Sequence, residues 1–319
     1  MYTQKSFPDK GYFSDRRDGR IVTRMEDDAT RNPESAPGDW FIDRRCIDCA
    51  ASRHVAPGLI VRRGDYSVFE RQPASPEEVH QAWLAAELCP TRSIRTESHL
   101  RPPARIYPHA LAEGVYLCGH NDRSSFGAHS YFVTRPSGNL LFDAPTFTRK
   151  LVAPFEDMGG ISQVLLSHRD DVADAGKWAK HFGAEVCIHR DDRSAAPFAT
   201  IILDGISPNE PADLGRGITA IPVPGHTKGS VVYQVDETYL FTGDSLTWSY
   251  EHEGMRAFRD ACWYSWPTQR QSLNGLAAFG FNQLFSGHGP WSPWREQGEM
   301  RRLLLELTER MARPAESAS

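Results

Sequence analysis

The stretch from Ile221 to Ser245, IPVPGHTKGSVVYQVDETYLFTGDS, decides how this chain is read. A short apolar run, IPVP, enters the turn Gly225-His226-Thr227-Lys228-Gly229-Ser230. VVYQV then reads as a strand, Asp236-Glu237 as a turn, and YLFTG as a second strand. His226 and Asp244 therefore fall at strand ends, each beside a glycine that lets the backbone bend and aim a side chain into a shared cleft. Outward from this stretch, the apolar run ISQVLL ends in Ser167-His168-Arg169-Asp170-Asp171, and NQLF ends in Ser286-Gly287-His288-Gly289. The strand ends together offer His168, Asp170, His226, Asp244 and His288, donors that suit zinc, iron or manganese. Any one of these histidines alone reads as a turn or core residue, but the set reads as a metal site.

In this order, SHRDD, PGHTKGS, FTGDS and SGHG resemble the motifs of the metallo-β-lactamase fold superfamily, over roughly the last two thirds of the chain. The resemblance implies an α/β fold, an αββα sandwich whose first sheet is built from GVYLCG, HSYFVT and NLLFDAP, with Pro136-Ser137-Gly138-Asn139 as a hairpin turn. The usual family run is H-x-H-x-D-H, in which two histidines hold one metal and the Asp-His pair a second. Here the run is His168-Arg169-Asp170-Asp171-Val172-Ala173, so Asp170 stands for the second histidine and Val172-Ala173 for the pair. Positions i and i+2 of an extended backbone share a side, so His168 and Asp170 can face one metal. Asp171 and Asp174 are candidates to replace the lost donors, although Asp174 precedes AGKWAKHF and also reads as a helix N-cap. One divalent metal, zinc or iron, is well provided for by His168, His226 and Asp244, with Asp170 as a fourth donor and His288 on the far side.

Such a site supports hydrolysis. A zinc with an open position lowers the pKa of bound water to about 7, Asp171 is placed to act as general base, and an activated carbonyl such as a thioester or lactone of a small molecule is the natural target. The same His168, His226 and Asp244 also match the facial triad of non-haem Fe(II) oxygenases, and the superfamily includes iron-using sulfur dioxygenases. The third alternative is a non-catalytic binding module with degenerate sites. Tyr250, His252, Trp263 and Tyr264, with Trp266, are candidates to wall a substrate pocket, or else core aromatics. His129 is a candidate substrate contact, and Cys118 and His120 either line the cleft or simply end strands.

The N-terminal part reads as a separate small module. Residues 1–37 form a polar arm, and 38–97 carry WFIDRRCIDCAASRHVAP, GDYSVFERQP and a helix opening at Ser75. Glu78 completes the capping box there, and Ala82, Leu84, Ala85 and Leu88 form the apolar stripe. Cys46-Ile47-Asp48-Cys49 and Cys89-Pro90 are similar to the cysteines of single-cluster bacterial ferredoxins, implying a small α+β domain with an iron–sulfur cluster and a redox partner. The pattern lacks its third cysteine, with Ser52 in that place. Several readings stay open: a three-iron cluster, recruitment of Ser52 or His54, a Cys3His zinc site using Cys46, Cys49, His54 and Cys89, or an empty module kept for packing. Prolines in 98–110 mark a linker, and 111–319 form the second domain, which closes with the amphipathic run REQGEMRRLLLELTERMARP.

The remaining composition narrows the partners. A chain of 319 residues with 40% hydrophobic content can bury a core, and a net charge of -5 leaves no basic footprint for nucleic acid. No apolar run approaches the roughly 20 residues of a membrane span, and the first residues lack a signal-peptide core. A cytoplasmic protein is expected, and the six cysteines, with Cys46 and Cys49 in C-x-x-C spacing, read as metal or redox ligands more readily than as a disulfide framework.

Overall fold

The computed structural model describes residues 30–204 and 209–313, so most of the polar arm read at 1–37 lies outside them. Its last residues do not project. Asn32 N–H donates to Ile42 O at 3.0 Å and Ala36 N–H to Phe69 O at 2.8 Å, which lays this segment along the N-terminal module.

The centre of the molecule is a pair of facing sheets. The first has seven strands, in the order Ile201–Leu203, Glu185–His189, Gln163–Leu165, Leu140–Phe142, Tyr131–Val133, Val115–Leu117 and His109–Ala112. The last of these begins inside the segment read from sequence as linker. The second sheet has five, in the order Ala212–Asp213, Ile218–Pro222, Val231–Val235, Tyr239–Gly243 and Gln283–Ser286. Side-chain alternation explains why these strands are apolar on both faces. Val231, Tyr233, Val235, Phe241 and Phe285 point between the sheets, where Phe241 stacks on Phe142 at 3.8 Å. Their neighbours Val232, Leu240 and Leu284 point outward under the helices Trp266–Leu276 and Gln297–Met311. On the outer face of the first sheet, Leu151, Phe155 and Trp178 come from the helices Arg149–Asp157 and Ala175–Phe182. The result is helix, sheet, sheet, helix. Asp236 and Glu237, with φ of 51° and 52°, turn the hairpin from Val231–Val235 into Tyr239–Gly243. Two successive left-handed residues are the type I′ geometry that matches strand twist.

Strand direction then places the chemistry. Leu140–Phe142, Gln163–Leu165 and Glu185–His189 run parallel, so the residues that follow them, Asp143, His168 and Asp192, emerge on one rim. Tyr239–Gly243 and Gln283–Ser286 are also parallel, and Asp244 and His288 leave that pair together.

Residues 38–97 fold as a small unit around the hairpin Ile60–Arg63 with Tyr66–Phe69 and the helix Pro76–Leu88. Ser75 caps this helix by accepting from Glu78 N–H at 3.2 Å, and Glu78 reaches back to Ala74 N–H at 2.7 Å. The end of the helix docks on the sandwich: Tyr107 OH donates to Leu84 O at 2.9 Å, and His120 and Asn121 N–H donate to Glu87 O and Leu88 O, each at 3.2 Å.

Candidate metal centre

His168, His226 and Asp244 converge at the rim of the sandwich, with one donor atom from each lying within 4.8 Å of the others. Asp244 Oδ2 is 3.7 Å from His168 Nε2 and 3.6 Å from His226 Nε2, and Asp170 Oδ2 is 3.8 Å and 3.6 Å from the same two nitrogens. Four donors about 2.1 Å from one ion stand about 3.4 Å apart at the edges of a tetrahedron. The observed spacings are close to that and too long for hydrogen bonds. His168 Nε2, His226 Nε2 and Asp170 Oδ2 are buried and have no hydrogen-bond partner. Unpartnered polar atoms turned toward one point are costly without a bound cation, and this fits the donor set to a metal.

The donors are held by residues that do not reach the centre. His168 Nδ1 is 2.9 Å from Ser167 Oγ, and the Ser167 hydroxyl donates to Asp143 Oδ2 at 2.9 Å, while Ser167 N–H donates to Asp143 Oδ1 at 2.8 Å. This chain fixes the ring so that Nε2 is the free nitrogen. It also needs Gly243, whose φ is +48° and where an added Cβ would lie 2.3 Å from Ser167 Oγ. Asp192, fully buried on the turn Arg190–Ala195, ties two donor loops together: Arg169 N–H donates to its Oδ2 at 3.1 Å and Thr227 Oγ1 at 2.5 Å. Neither Asp143 nor Asp192 was singled out from the sequence. Asp143 follows the apolar run NLLF as Asp244 follows YLFTG, a signal that was available, whereas Asp192 sits in the polar run HRDDRS and looks like a solvated turn.

A second group lies beside the first. Asp171, Asp244 and His288 also place one donor atom each within 4.8 Å of the others. Asp171 is 1% exposed and both its carboxylate oxygens are buried without a partner. Burial, followed by the charges of Asp244, Asp143 and Asp170, pushes Asp171 well above the usual carboxylate range. His288 Nδ1 donates to Asp244 Oδ1 at 2.8 Å, and its backbone N–H to the same oxygen at 3.0 Å. Burial opposes charge on Asp244, but His288, His168 and His226 together hold its carboxyl far below the ordinary value. Burial and the charge of His226 bring His168 down to about 4. Asp244 is thus a charged carboxylate and His168 a neutral imidazole, the forms that bind metal. Asp171, read from the sequence as a candidate to replace the donors lost at Val172 and Ala173, lies with Asp244 and His288 in this second group, and Asp174 does not.

Other residues of interest from the sequence fall in different places. Trp263 and Tyr264 flank the centre, each donating its backbone N–H to His226 O, at 2.9 and 3.1 Å, with half-exposed rings. Tyr250 is exposed, with its hydroxyl 3.4 Å from Trp291 O, and His252 is exposed on the following turn. Cys118 is buried in the sheet core, and His120 packs against Tyr107 near Glu87, so neither lines the centre. Asp174 stands at the N-cap position of Ala175–Phe182, but its carboxylate accepts from Phe147 N–H at 2.8 Å instead of capping that helix. His129 is buried and its Nε2 is 3.0 Å from His54 Nδ1, across the junction of the two modules.

That contact removes His54 from the thiols. Cys46, Cys49 and Cys89 line one cavity together with Ser52, while the His54 ring faces His129. The three sulfurs do not all come within 4.8 Å of one another. Ligands of a single zinc stand about 3.8 Å apart, so the Cys3His zinc site read as one option is not formed. Amide donors point at the thiols: Asp48 and Ser67 N–H to Cys46 Sγ and Ser93 N–H to Cys89 Sγ, each at 3.4 Å. Hydrogen bonds of this kind surround cluster thiolates. The cavity lined by the three thiols and these donors fit an iron–sulfur cluster.

An αββα sandwich with a candidate metal centre at its rim, carrying a small cysteine-bearing α+β module, is the class that this fold and these two sites define. Residues 42–96 match the family model for the 4Fe-4S single cluster domain of Ferredoxin I. The chain is 25% identical over 141 residues to the uncharacterized protein YmaE of Bacillus subtilis, a match covering 42% of this chain and 51% of that protein. The chain thus spans about half the length of the curated relative it matches. Solved structures similar to it are metallo-β-lactamase superfamily proteins. They include metallo-β-lactamase FIM-1 from Pseudomonas aeruginosa in a mono-zinc form, with 16% identity and a TM-score of 0.47 over 64% of this chain and 95% of that one. A metallo-β-lactamase from Hirschia baltica has 16% identity and a TM-score of 0.48 over 63% and 96%. An archaeal superfamily protein from Sulfolobus tokodaii has 15% identity and a TM-score of 0.44 over 66% and 90%. No helix among the described residues is long and apolar enough to cross a membrane.

Proposed function

We propose that the protein is a metal-dependent hydrolase acting on an activated carbonyl of a small molecule, of the thioester or lactone class. The single observation that carries the reading is the convergence of unpartnered His168 Nε2, His226 Nε2 and Asp170 Oδ2 beside Asp244 at the open rim of the sandwich. His168, His226, Asp170 and Asp244 would hold the ion, with Asp171 and His288 beside it. A divalent metal held by these residues would lower the pKa of a bound water to about 7 and polarise a carbonyl oxygen. The residues of the chain do the rest. Asp171, buried beside Asp244 and His288 with both carboxylate oxygens unpartnered, is the group of the chain placed to move a proton between the attacking water and the leaving group. Asp170, whose side chain is 23% exposed, marks the side from which substrate enters, and the Trp263 ring stands 6.2 Å from the His226 ring.

One observation favours a second reading. The donor set is two histidines with two carboxylates, and its oxygen content suits iron as well as zinc. The cysteine-bearing module packs directly on the sandwich, next to the loop that carries Phe126, whose carbonyl lies 3.4 Å from His288 Nε2. Oxygen chemistry at a mononuclear Fe(II) is therefore the alternative. The deciding experiment purifies the full chain without oxygen and measures thioester and lactone hydrolysis with zinc, and oxygen uptake with Fe(II). Zinc-supported hydrolysis abolished by Asp171→Asn supports the proposal. Hydrolysis at the rate of free metal ions overturns it.

A further inference from the structure

The cavity of the N-terminal module presents three thiols and an open place. Cys46, Cys49 and Cys89 occupy three sides, and Ser52 lies on the same wall one turn beyond Cys49, on the helix Ala51–Val55. We propose that Ser52 is the fourth protein ligand of an iron–sulfur cluster held by Cys46, Cys49 and Cys89, so that one iron takes oxygen instead of sulfur from the chain. The proposal rests on the reading of this cavity as a cluster site.

Elimination singles out Ser52. The polar side chains lining the cavity, besides the cysteines, are the hydroxyls of Ser52, Ser67 and Thr91. Ser67 Oγ accepts from Arg53 Nη1 at 2.5 Å, an arginine also paired with Asp48. Thr91 Oγ1 is engaged by Ser93 Oγ at 2.5 Å and lies 3.5 Å from Cys89 Sγ. Among the described residues no hydrogen bond engages Ser52 Oγ, although the residue is only 7% exposed. Of the three hydroxyls lining the cavity, that of Ser52 is thus the one not committed to another side chain and left available to a group filling the space in front of it. The other nearby donor, His54, is committed to His129 at 3.0 Å across the module junction. Gly127 of the second domain packs against Cys49, where an added Cβ would lie 2.9 Å from Cys49 Sγ and 3.0 Å from Pro90 Cγ. No further side chain fits between Cys49 and that loop.

An iron held by an alkoxide is replaced more readily than one held by thiolate, because the softer sulfur matches the cluster better. Iron content and magnetic signature therefore report the ligand directly. The full chain and its Ser52→Ala and Ser52→Cys variants would be reconstituted without oxygen from ferrous iron and sulfide. Iron and acid-labile sulfide would be counted, and electron paramagnetic resonance recorded before and after brief exposure to air. The wild type and Ser52→Cys are expected to carry a four-iron cluster, with Ser52→Cys losing iron to air more slowly. Ser52→Ala is expected to hold one iron fewer and to show an oxidised three-iron signal. If Ser52→Ala matches the wild type in iron, sulfide and spectrum, Ser52 is not a ligand while the cluster stands. Should the alanine variant fail to fold, unchanged iron loss in Ser52→Cys likewise rules Ser52 out as a ligand. If neither the wild type nor Ser52→Cys takes up sulfide, the cluster itself is refuted.

Discussion

Replacing Asp192 by alanine removes a carboxylate that touches no candidate metal donor atom, yet it should loosen the centre. Asp192 Oδ2 accepts from Arg169 N–H at 3.1 Å and from Thr227 Oγ1 at 2.5 Å, and these partners sit next to His168, Asp170 and His226. Each hydrogen bond to a charged group contributes about 1.5–3 kcal/mol, and relief from burying the charge offsets part of the sum. A net loss of about 2–4 kcal/mol follows, which in a domain of this size lowers the melting temperature by about 5–15 °C. Loss of outer support for metal ligands weakens metal binding by about 10–100-fold. Asp192→Asn keeps an acceptor oxygen and should fall between the two. The assay is thermal unfolding in chelator, combined with competition for zinc against a chelating dye, for both variants and the wild type. A folded Asp192→Ala protein that competes for zinc as well as the wild type would refute the idea that this residue positions the donor loops.

Three further outcomes are expected. His226→Ala should lower metal content and activity together, as read by elemental analysis and turnover, and unchanged stoichiometry in the folded variant would count against the site. Asp143 is pushed up to about 7 by burial and by Asp244, against the pull of its Ser167 donors. The native state therefore holds a proton that the unfolded chain gives up near pH 4, so the contribution of Asp143 to stability is lost as pH rises from about 4 to 7. Melting of the metal-free protein across that range should show Asp143→Asn gaining on the wild type as pH rises, and parallel curves would exclude this assignment. Gly127→Ala sets a Cβ 2.9 Å from Cys49 Sγ at a φ of +82°. It should reduce reconstituted sulfide while leaving zinc binding at the sandwich intact, which a sulfide assay and the zinc competition test separately.

Much of the architecture was legible because its strands are buried on both faces and so appear as unbroken apolar runs ending in glycine, histidine or aspartate. VVYQV, YLFTG and QLFS are visible in this way. The candidate donors were legible for the same reason, since His168, His226, Asp244 and His288 each follow such a run. What pairing distance decides was not legible. Asp171 and Asp170 are neighbours in sequence, but one joins His288 and Asp244 while the other faces His168 and His226, a division set by how the loop folds. His54 was one of several ligands open for the thiol site, and where the two modules meet it lies against His129 instead. Tyr250 and His252 lie on a turn whose direction no periodicity encodes, and they end on the surface.

The central claim is a metal held by His168, His226, Asp170 and Asp244. The direct measurement is elemental analysis of the full chain, purified without oxygen, set beside its acid-labile sulfide and beside the His168→Ala variant. At least one divalent metal per chain is predicted beyond the iron that sulfide explains, together with the loss of that metal in the folded variant. Metal content fully explained by sulfide, or unchanged by His168→Ala, would contradict the claim.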